Sequence, residues 1–427
     1  MKVGKKAIVQ YFLLYLLLIM HGAVVWVLKY SLSYAVLGIL CVLSLFFIYN
    51  YKGHISEREI LLGIVLACLF AFSGLWNGES LSHGFNFKTL IQIYLNFLVS
   101  YAIIAVDKKS ALTRLLKLTY VFASISLIGY LICNIGGVDF LKSILPSYRY
   151  GESSRTYFGK YLFSILWGRF EVDGYTRNIG IYYEPGVYEI VINSSIFIIL
   201  YMRRYLNLED KAITRMLVVY ILTIITTKST TGYLGLAVIL GGSILQKKEN
   251  SHRRKILSIA AIGIVLLFCD FVSNGSSSLI SVNVLQKFQG VQLAGDYNYT
   301  SGAARMIPVR AAMMSVKENP ILGIGSSRVA NYVESIFGAT GGTGNALFGM
   351  IATKGLFTTA VLLYMFLNPI WKTRQSNTVF FVFAFMVVNV AFAQAQIAYP
   401  SFVFISLIYY ALTMESSGSF ENVQEWT

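Results

Sequence analysis

The feature that most constrains this chain is a series of apolar segments, each about as long as a bilayer-spanning helix. A helix needs about 20 predominantly apolar residues to cross the hydrocarbon core. Charged residues make up only 13% of the chain, about half the share in soluble domains. The sequence therefore predicts an all-α polytopic membrane protein with about twelve transmembrane helices. The segments lie near residues 7–28, 31–50, 59–76, 89–106, 117–137, 184–202, 212–227, 231–246, 255–273, 344–367, 377–396 and 399–414.

Basic residues are concentrated in alternate connections between these segments, which accounts for most of the net charge of +15. This bias is typical of cytoplasmic loops, so both termini are predicted to be cytoplasmic and nucleic acid is excluded as a partner. The clusters are Lys2, Lys5 and Lys6; Lys52 and Arg58; Lys108, Lys109, Arg114 and Lys117; Arg203, Arg204, Lys211 and Arg215; Lys247, Lys248, Arg253, Arg254 and Lys255; and Lys372 and Arg374.

Two long loops, at residues 138–183 and 274–343, are predicted on the outer side of a single transmembrane domain formed by residues 1–427. Both loops are basic, although the orientation rule is indifferent to charge on long loops. These charges suit an anionic ligand at the outer face, or a solvated loop beside an anionic lipid surface. Short amphipathic helices are expected in both loops. In the second, apolar residues spaced by three and four predict a helix over 303–317, with Pro308 as a candidate first residue.

No metal and no cofactor are predicted. The four cysteines fall within or at the ends of apolar segments, and the four histidines are scattered along the chain. Neither set has the spacing of a metal site or of a disulfide framework.

The first outer loop ends in a polar string that runs directly into an apolar segment. Glu184 precedes Pro185, which is tolerated in a first helical turn, and a carboxylate is favoured there by the helix dipole. Glu189 and Asn193 follow Pro185 by one and two turns, so they share a face. An ionisable residue within a span indicates function. Capping of the helix alone remains the alternative explanation of Glu184.

Three further polar strings lie beside apolar segments. Residues 226–232 contain Lys228 among hydroxyl side chains, which fits either a tight turn or the wall of a polar cavity. Residues 319–325 combine asparagine, proline and two glycines. Residues 338–345 contain four glycines, which indicate either a plain linker or a backbone that a bulky substrate approaches closely.

Together these segments resemble the O-antigen polymerase and ligase superfamily of bacterial polysaccharide enzymes, and within it the O-antigen polymerases. The resemblance covers roughly residues 170–360 and lies in the order and placement of the segments, since no single motif is specific. The matching residues are Arg177, Gly180, Glu184, Pro185 and Gly186; Lys228, Ser229, Thr230, Thr231 and Gly232; Arg305; Asn319, Pro320, Gly323 and Gly325; and Asn345 with Gly355.

The resemblance implies a glycosyltransferase in the bacterial cytoplasmic (inner) membrane. Its substrates would be oligosaccharide repeat units linked to undecaprenyl pyrophosphate, handled at the outer face within membrane lipid. A polymerase transfers the growing glycan onto the next lipid-linked repeat unit, whereas a ligase transfers the finished glycan onto lipid A-core. A chain-length regulator and a flippase of the same pathway are the implied protein partners.

Two departures from the ligase pattern favour a polymerase. The ligase pattern has a histidine immediately before Asn345, and this chain has Gly344. The second glycine of the downstream Gly-x-x-Gly is Thr358. The base implied for a ligase is therefore absent, and Glu-Pro-Gly is more typical of polymerases.

Residue chemistry suggests roles within this resemblance. The leaving group is a pyrophosphate, and arginine binds such oxygens through a planar fork of donors. Glu184 is the first candidate for the base that deprotonates the acceptor hydroxyl, although it could instead hold Arg177, leaving Glu189, Asp173 or Glu171 as base. The predicted catalytic residues are Glu184, Arg177 and Arg305. The predicted substrate-binding residues are Arg310, Lys228, Glu189, Asn193, Asn319, Gly323, Gly325 and Asn345.

Two other classes of protein remain as alternatives. A lipid-linked oligosaccharide flippase or transporter also has about twelve helices, but it tends to show two related halves, which this chain lacks. A membrane scaffold for a polysaccharide complex would tolerate substitution of the loop arginines.

Overall fold

A computed structural model describes most of the chain. The described residues are 4–23, 34–79, 87–135, 137–144, 147–149, 155–158, 167–172, 175–245, 301–337, 345–373 and 376–424. For residues 147–149, 155–158, 167–172, 175–176, 301–307 and 415–424 the description covers the backbone alone. The predicted segment near 255–273, the linker at 338–344 and Asp173 lie outside the described residues.

The described residues are mainly helical, as the sequence predicts. The helices are α1 (Lys5–Ile19), α2 (Tyr34–Asn50), α3 (Glu57–Trp76), α4 (Phe87–Asn134), α5 (Val138–Ile144), α6 (Pro185–Tyr201), α7 (Asp210–Thr227), α8 (Thr230–Leu245), α9 (Ser301–Glu318), α10 (Ser326–Phe337), α11 (Ala346–Thr373), α12 (Asn377–Ala393) and α13 (Pro400–Gln424). A short 3-10 turn, Arg203–Tyr205, follows α6.

Three described helices, α3, most of α4 and α11, are long and apolar enough to cross a membrane. Five shorter apolar helices coincide with other predicted spans, within α2, α6, α8, α12 and α13. A polytopic membrane protein is therefore supported, while the number of about twelve spans stays a prediction.

Helix α4 corresponds to two of the predicted spans. A straight helix of its 48 residues would be about 72 Å long, more than twice the thickness of the hydrocarbon core. The backbone leaves the helical region at Asp107. There the Asp107 carboxylate accepts from the Ser110 amide at 3.2 Å and from Arg114 at 2.9 Å. Asp107 therefore ends one helical part and caps the next.

Helix α6 lies at the centre of the bundle. Every residue from Pro185 to Ile199 is buried, as expected for a helix that is apolar on all sides. It packs against α7 and α8 most extensively, and also against α4, α12 and α13. The polar residues on α6 are therefore surrounded by protein.

The first of the two predicted loops, residues 138–183, differs from the prediction. Helix α5 is followed by four short strands, β1 (Ser147–Arg149), β2 (Arg155–Phe158), β3 (Trp167–Val172) and β4 (Tyr175–Asn178), paired antiparallel in sequence order. The register pairs Tyr148 with Tyr157, Thr156 with Arg169 and Phe170 with Arg177. The expectation of amphipathic helices is wrong for these strands, because aromatic and β-branched residues in short runs favour a pleated sheet.

The second predicted loop, residues 274–343, contains helices in its described part. Helix α9 includes the predicted segment 303–317, but it begins at Ser301, so Pro308 lies inside the helix rather than at its start. Helix α10 is strongly amphipathic: Val329 and Val333 are buried while Arg328 and Asn331 are exposed. The predicted helix is thus confirmed with a shifted start, but Met313 and Val316 of its predicted apolar face are exposed, so that the expected amphipathic pattern is found in α10 and not in α9.

Candidate functional site

Arg177, at the end of β4, connects the first predicted loop to the turn between α7 and α8. Its Nε donates to the carbonyl of Thr227 at 3.0 Å, and Nη2 donates to the carbonyl of Lys228 at 2.7 Å. The last carbonyls of a helix have no partner within the helix, and a cation is favoured beside them. The side-chain amide of the neighbouring Asn178 donates to the Thr226 hydroxyl at 3.0 Å. Arg177 therefore has a structural function, and its predicted contact with pyrophosphate stays a prediction.

Lys228 ends α7 in a left-handed conformation, with φ of 49°. This conformation costs a residue with a Cβ roughly 1–2 kcal/mol, and such strained residues cluster at functional sites. The lysine is half-buried. Of the two alternatives for this string, the structure shows a tight turn between α7 and α8, with Lys228 beside Arg177.

Glu184 is the N-cap residue of α6 and Pro185 occupies the first turn, as the sequence predicts. The Glu184 side chain, however, accepts no capping hydrogen bond from that turn. Capping alone therefore does not explain the carboxylate, which is half-buried. Of the alternative bases, Glu171 lies in β3, where only the backbone is described.

Glu189 and Asn193 are both buried on the side of α6 that faces α8, as their spacing predicts. The Asn193 amide donates to the carbonyl of Gly232 at 3.1 Å. A Cβ added at Gly232 would collide with the Glu189 carboxylate. Glycine at position 232 therefore lets α8 approach these two polar side chains closely.

Gln394, at the end of α12, joins two motifs that are distant in the sequence. Its side-chain amide lies so close to Gly186 that a Cβ there would collide with it. Its backbone carbonyl accepts from the Ala346 amide at 2.7 Å. Asn345, fully buried, caps α11 by accepting from the Phe348 amide at 3.2 Å. The start of α6 and the start of α11 are thereby held against the same residue.

Helix α11 is broken at Gly355, where φ is +83°. The loop that carries Asn319, Gly323 and Gly325 inserts at this break. The Ile324 amide donates to the Ala352 carbonyl at 2.9 Å, and the Leu356 amide to the Pro320 carbonyl at 2.8 Å.

Glycine is required on both sides of this contact. A Cβ at Gly323 would lie 2.6 Å from the backbone carbon of Thr353, and one at Gly355 would collide with the Ile321 carbonyl. Asn319 closes the loop, since its side chain accepts from the Leu322 amide at 3.2 Å. The motif residues 319–325 therefore shape a loop that packs into a helix break.

An ion pair is buried beside this break. Lys354 Nζ lies 3.2 Å from Glu79 Oε2, and both side chains are 1% exposed. The other Glu79 oxygen accepts from the backbone amides of Ser326 and Ser327, the second at 3.2 Å. Glu79 therefore joins the end of α3, the start of α10 and the break in α11. The sequence prediction missed both residues, although Lys354 is an ionisable residue within an apolar span.

The two arginines of the second loop both lie on α9. Arg310 is half-buried, whereas for Arg305 the backbone alone is described. Their predicted contacts with substrate stay predictions.

The contacts connect the motifs into one set, here called the motif network: residues 177–193, 226–235, 319–325, 345–355 and Gln394. Arg177 contacts the end of α7, Glu189 contacts Gly232, Gln394 contacts Gly186 and Ala346, and Ala352 contacts Ile324. Segments that lie between residues 177 and 394 of the sequence therefore form a continuous set of contacts.

Residues 216–363 match a family model described as O-antigen ligase. The match covers about a third of the chain, from α7 to the middle of α11. It includes Lys228, residues 319–325 and Asn345, while Arg177 and Glu184 precede it. No curated protein matches the chain. The match supports a polysaccharide-related membrane enzyme of the O-antigen polymerase and ligase superfamily, and it does not distinguish a polymerase from a ligase.

Proposed function

We propose that the protein is a polysaccharide polymerase that moves a growing glycan from undecaprenyl pyrophosphate onto the next lipid-linked repeat unit at the outer face of the cytoplasmic membrane. The observation that carries the proposal is the motif network. Within it, Arg177 contacts the turn that carries Lys228, and the same segment leads into Glu184, a half-buried carboxylate whose side chain makes no capping hydrogen bond.

The proposed reaction is a glycosyl transfer. The oxygen of the acceptor sugar hydroxyl attacks the anomeric carbon of the donor sugar. The bond from that carbon to the pyrophosphate oxygen breaks, and undecaprenyl pyrophosphate leaves with the electron pair. Glu184 takes the hydroxyl proton as general base. Lys228 and the arginines at positions 177, 305 and 310 are the candidates to stabilise the charge on the leaving group.

Substrate access is consistent with this assignment. The donor combines a polyprenyl chain with a charged, sugar-bearing head, so its site needs an apolar side and a polar side. Helices α3 and α11 expose large apolar side chains such as Leu75, Trp76, Leu356 and Phe357, and the motif network supplies polar groups. A flippase and a chain-length regulator of the same pathway are the proposed partners.

An O-antigen ligase is the second candidate, because the matching family model is described by that activity. Gly344, in place of the histidine of the ligase pattern, favours the polymerase. The two activities leave different products in the cell, so one experiment separates them.

The test compares the surface glycan of a strain that lacks the protein after complementation with wild type, Glu184→Gln or Glu209→Gln. Glu209 is a matched control, since it is the N-cap residue of α7 and likewise makes no side-chain capping hydrogen bond. Wild type and Glu209→Gln should restore a ladder of glycan lengths. Glu184→Gln should leave mainly a single repeat unit, because loss of a general base costs about 10²- to 10⁴-fold in rate.

Other outcomes identify other functions. If the deletion strain loses all surface glycan while long lipid-linked chains accumulate, the protein is a ligase. Repeat units trapped on the cytoplasmic side would indicate a flippase. A normal ladder with Glu184→Gln would contradict the assignment of Glu184 as base.

A further inference from the structure

A cavity of about 220 Å³ lies beside the motif network, between the start of α4, helices α10 and α11, and the connection from α12 to α13. None of the described residues that line it is charged. Apolar walls come from residues such as Ile93, Val329 and Met350. Its polar lining consists of Thr89, Gln92, Asn96, Asn345, Thr353 and Gln396. Four of these six side chains are carboxamides.

Three of the polar side chains are held in place by the protein itself. The Asn96 side-chain amide donates to the Ala398 carbonyl at 2.7 Å. The Asn345 side-chain oxygen accepts from the backbone amide of Phe348 at 3.2 Å. The Thr353 hydroxyl donates to the Gly349 carbonyl at 2.8 Å. Asn96 and Asn345 are also buried. The walls of the cavity are therefore ordered by contacts that exist without a ligand.

Gln92 and Gln396 differ from these side chains. Both are half-buried, and within the part of the chain that the structure describes, neither carboxamide has a hydrogen-bond partner in the protein. A carboxamide can donate twice and accept twice, and polar groups withdrawn from water are costly unless they are paired. These two side chains suit a ligand that both donates and accepts hydrogen bonds.

We propose that this cavity is a subsite for one uncharged sugar ring of the repeat unit, recognised through Gln92 and Gln396. Sugar hydroxyls both donate and accept, as carboxamides do. The lack of charged lining residues disfavours the pyrophosphate and acidic sugars at this position, because no cation would compensate an anion out of water. The assignment of the ring to a lipid-linked glycan rests on the proposed function. The preference of the cavity for an uncharged sugar ring follows from its lining residues alone.

The size and place of the cavity agree with this assignment. A volume of 220 Å³ equals the space of roughly seven water molecules, which fits one ring rather than an oligosaccharide. Asn345 lines the cavity, and the adjacent Ala346 is bound to Gln394, which contacts Gly186. Gly186 is two residues from Glu184. Two contacts, Ala346 with Gln394 and Gln394 with Gly186, therefore connect the subsite to the segment that carries the proposed base.

The experiment measures binding of a defined probe to the full-length protein in lipid nanodiscs. The probe is the repeat-unit oligosaccharide, released from its lipid carrier by mild acid, and its affinity is measured by saturation-transfer NMR. Gln92→Leu and Gln396→Leu remove the carboxamide at similar volume. Asn331→Leu is the control, because Asn331 is an exposed carboxamide on α10 outside the cavity lining. Each glutamine variant should raise Kd about tenfold, as loss of a hydrogen bond that leaves its partner unsatisfied predicts, and the control should not.

Wild type that fails to bind the oligosaccharide, or glutamine variants that bind it as wild type does, would overturn the subsite. Competition by inorganic pyrophosphate would also overturn it, because the cavity would then accept an anion. Transfer rates with the lipid-linked repeat unit, measured in the same nanodiscs, keep the two proposals apart. Binding that depends on the glutamines without any transfer would leave the subsite standing and remove the polymerase. If the glycan is transferred and neither glutamine variant changes the KM for the acceptor, the polymerase proposal stands and the subsite is wrong.

Discussion

Single residues have large effects where they are buried and charged, and the ion pair of Lys354 with Glu79 is the clearest case in the described structure. Withdrawing two charges from water costs several kcal/mol per ion, and their mutual attraction offsets this only if the remaining hydrogen-bonding groups are satisfied. Two backbone amides at the start of α10 complete the shell of Glu79. The pair is therefore stable as a unit and vulnerable to loss of one member.

Lys354→Met should destabilise the protein by about 3–5 kcal/mol, because it leaves the Glu79 carboxylate buried without its cation. Thermal unfolding of the purified protein in detergent measures the effect. Lys372→Met, at an exposed position on the same helix, should stay within about 0.5 kcal/mol of wild type. Adding Glu79→Gln to Lys354→Met should restore part of the loss. Equal unfolding temperatures for the two lysine variants would contradict the structural role of the pair.

At the scale of secondary-structure elements, the motif residues Gly323 and Gly355 explain the break in helix α11. Its backbone turns at Gly355, and the loop 319–325 supplies the hydrogen bonds at the break. Non-helical backbone at membrane depth is tolerated where protein satisfies its polar groups. The paired glycines are thus features of one backbone contact, and this explains why they occur in two separate motifs.

Gly355→Ala should be strongly destabilising, by more than about 2 kcal/mol, since it combines a positive φ that essentially only glycine adopts at this ψ with a collision against the Ile321 carbonyl. Gly241→Ala is the matched control in α8, where an added Cβ meets nothing within 4 Å. That change should be neutral or stabilising by up to about 1 kcal/mol, because alanine is the better helix former. The comparison uses thermal unfolding, and a Gly355→Ala protein as stable as Gly241→Ala would refute the packed loop.

Helices were predicted well from the sequence where the local composition alone determines the type of secondary structure. The predicted spans near 59–76, 184–202 and 377–396 lie within a few residues of α3, α6 and α12, since an apolar run of that length has few other structures available in a membrane. The strands β1 to β4 were missed because each is at most six residues long. Strands so short depend on cross-strand partners rather than on their own periodicity.

The candidate site was predictable only in part, because some of its residues depend on partners that are distant in the sequence. Motif residues such as Glu184 and Asn345 could be recognised from their order along the chain. Gln394 and Glu79 could not, because each acts through contacts with segments more than 45 residues away. No local pattern marks such residues before the helices are packed together.

At the scale of the whole molecule, the proposal depends on which side of the membrane carries the motif network. Arg203, Arg204, Lys211 and Arg215 surround the connection from α6 to α7, and such clusters favour the cytoplasm. The network, in contrast, lies at the start of α6 and at the connection from α7 to α8. Opposite ends of the same helices are therefore expected to face opposite compartments.

Cysteine labelling tests this orientation. In a background without the native cysteines, Asn331→Cys on α10 should react with a membrane-impermeant maleimide in intact spheroplasts. Asn207→Cys, exposed between α6 and α7, should react only after permeabilisation. Labelling of Asn207→Cys in intact spheroplasts would reverse the orientation and place the network on the cytoplasmic side, which would exclude the proposed reaction at the outer face.

The distance between Glu79 and Lys354 along the chain has a consequence for synthesis of the protein. The two residues are separated by 275 positions, which a ribosome covers in roughly 15 to 55 seconds at 5–20 residues per second. During that interval the carboxylate has no lysine to neutralise it. The end of α3 must therefore wait in contact with water or headgroups, and it enters its final place only when α11 arrives. Release of the nascent chain before residue 354 should leave the end of α3 undocked from the start of α10, so that a protease reaches Glu79 in a truncated chain and not in the complete one, where its side chain is buried.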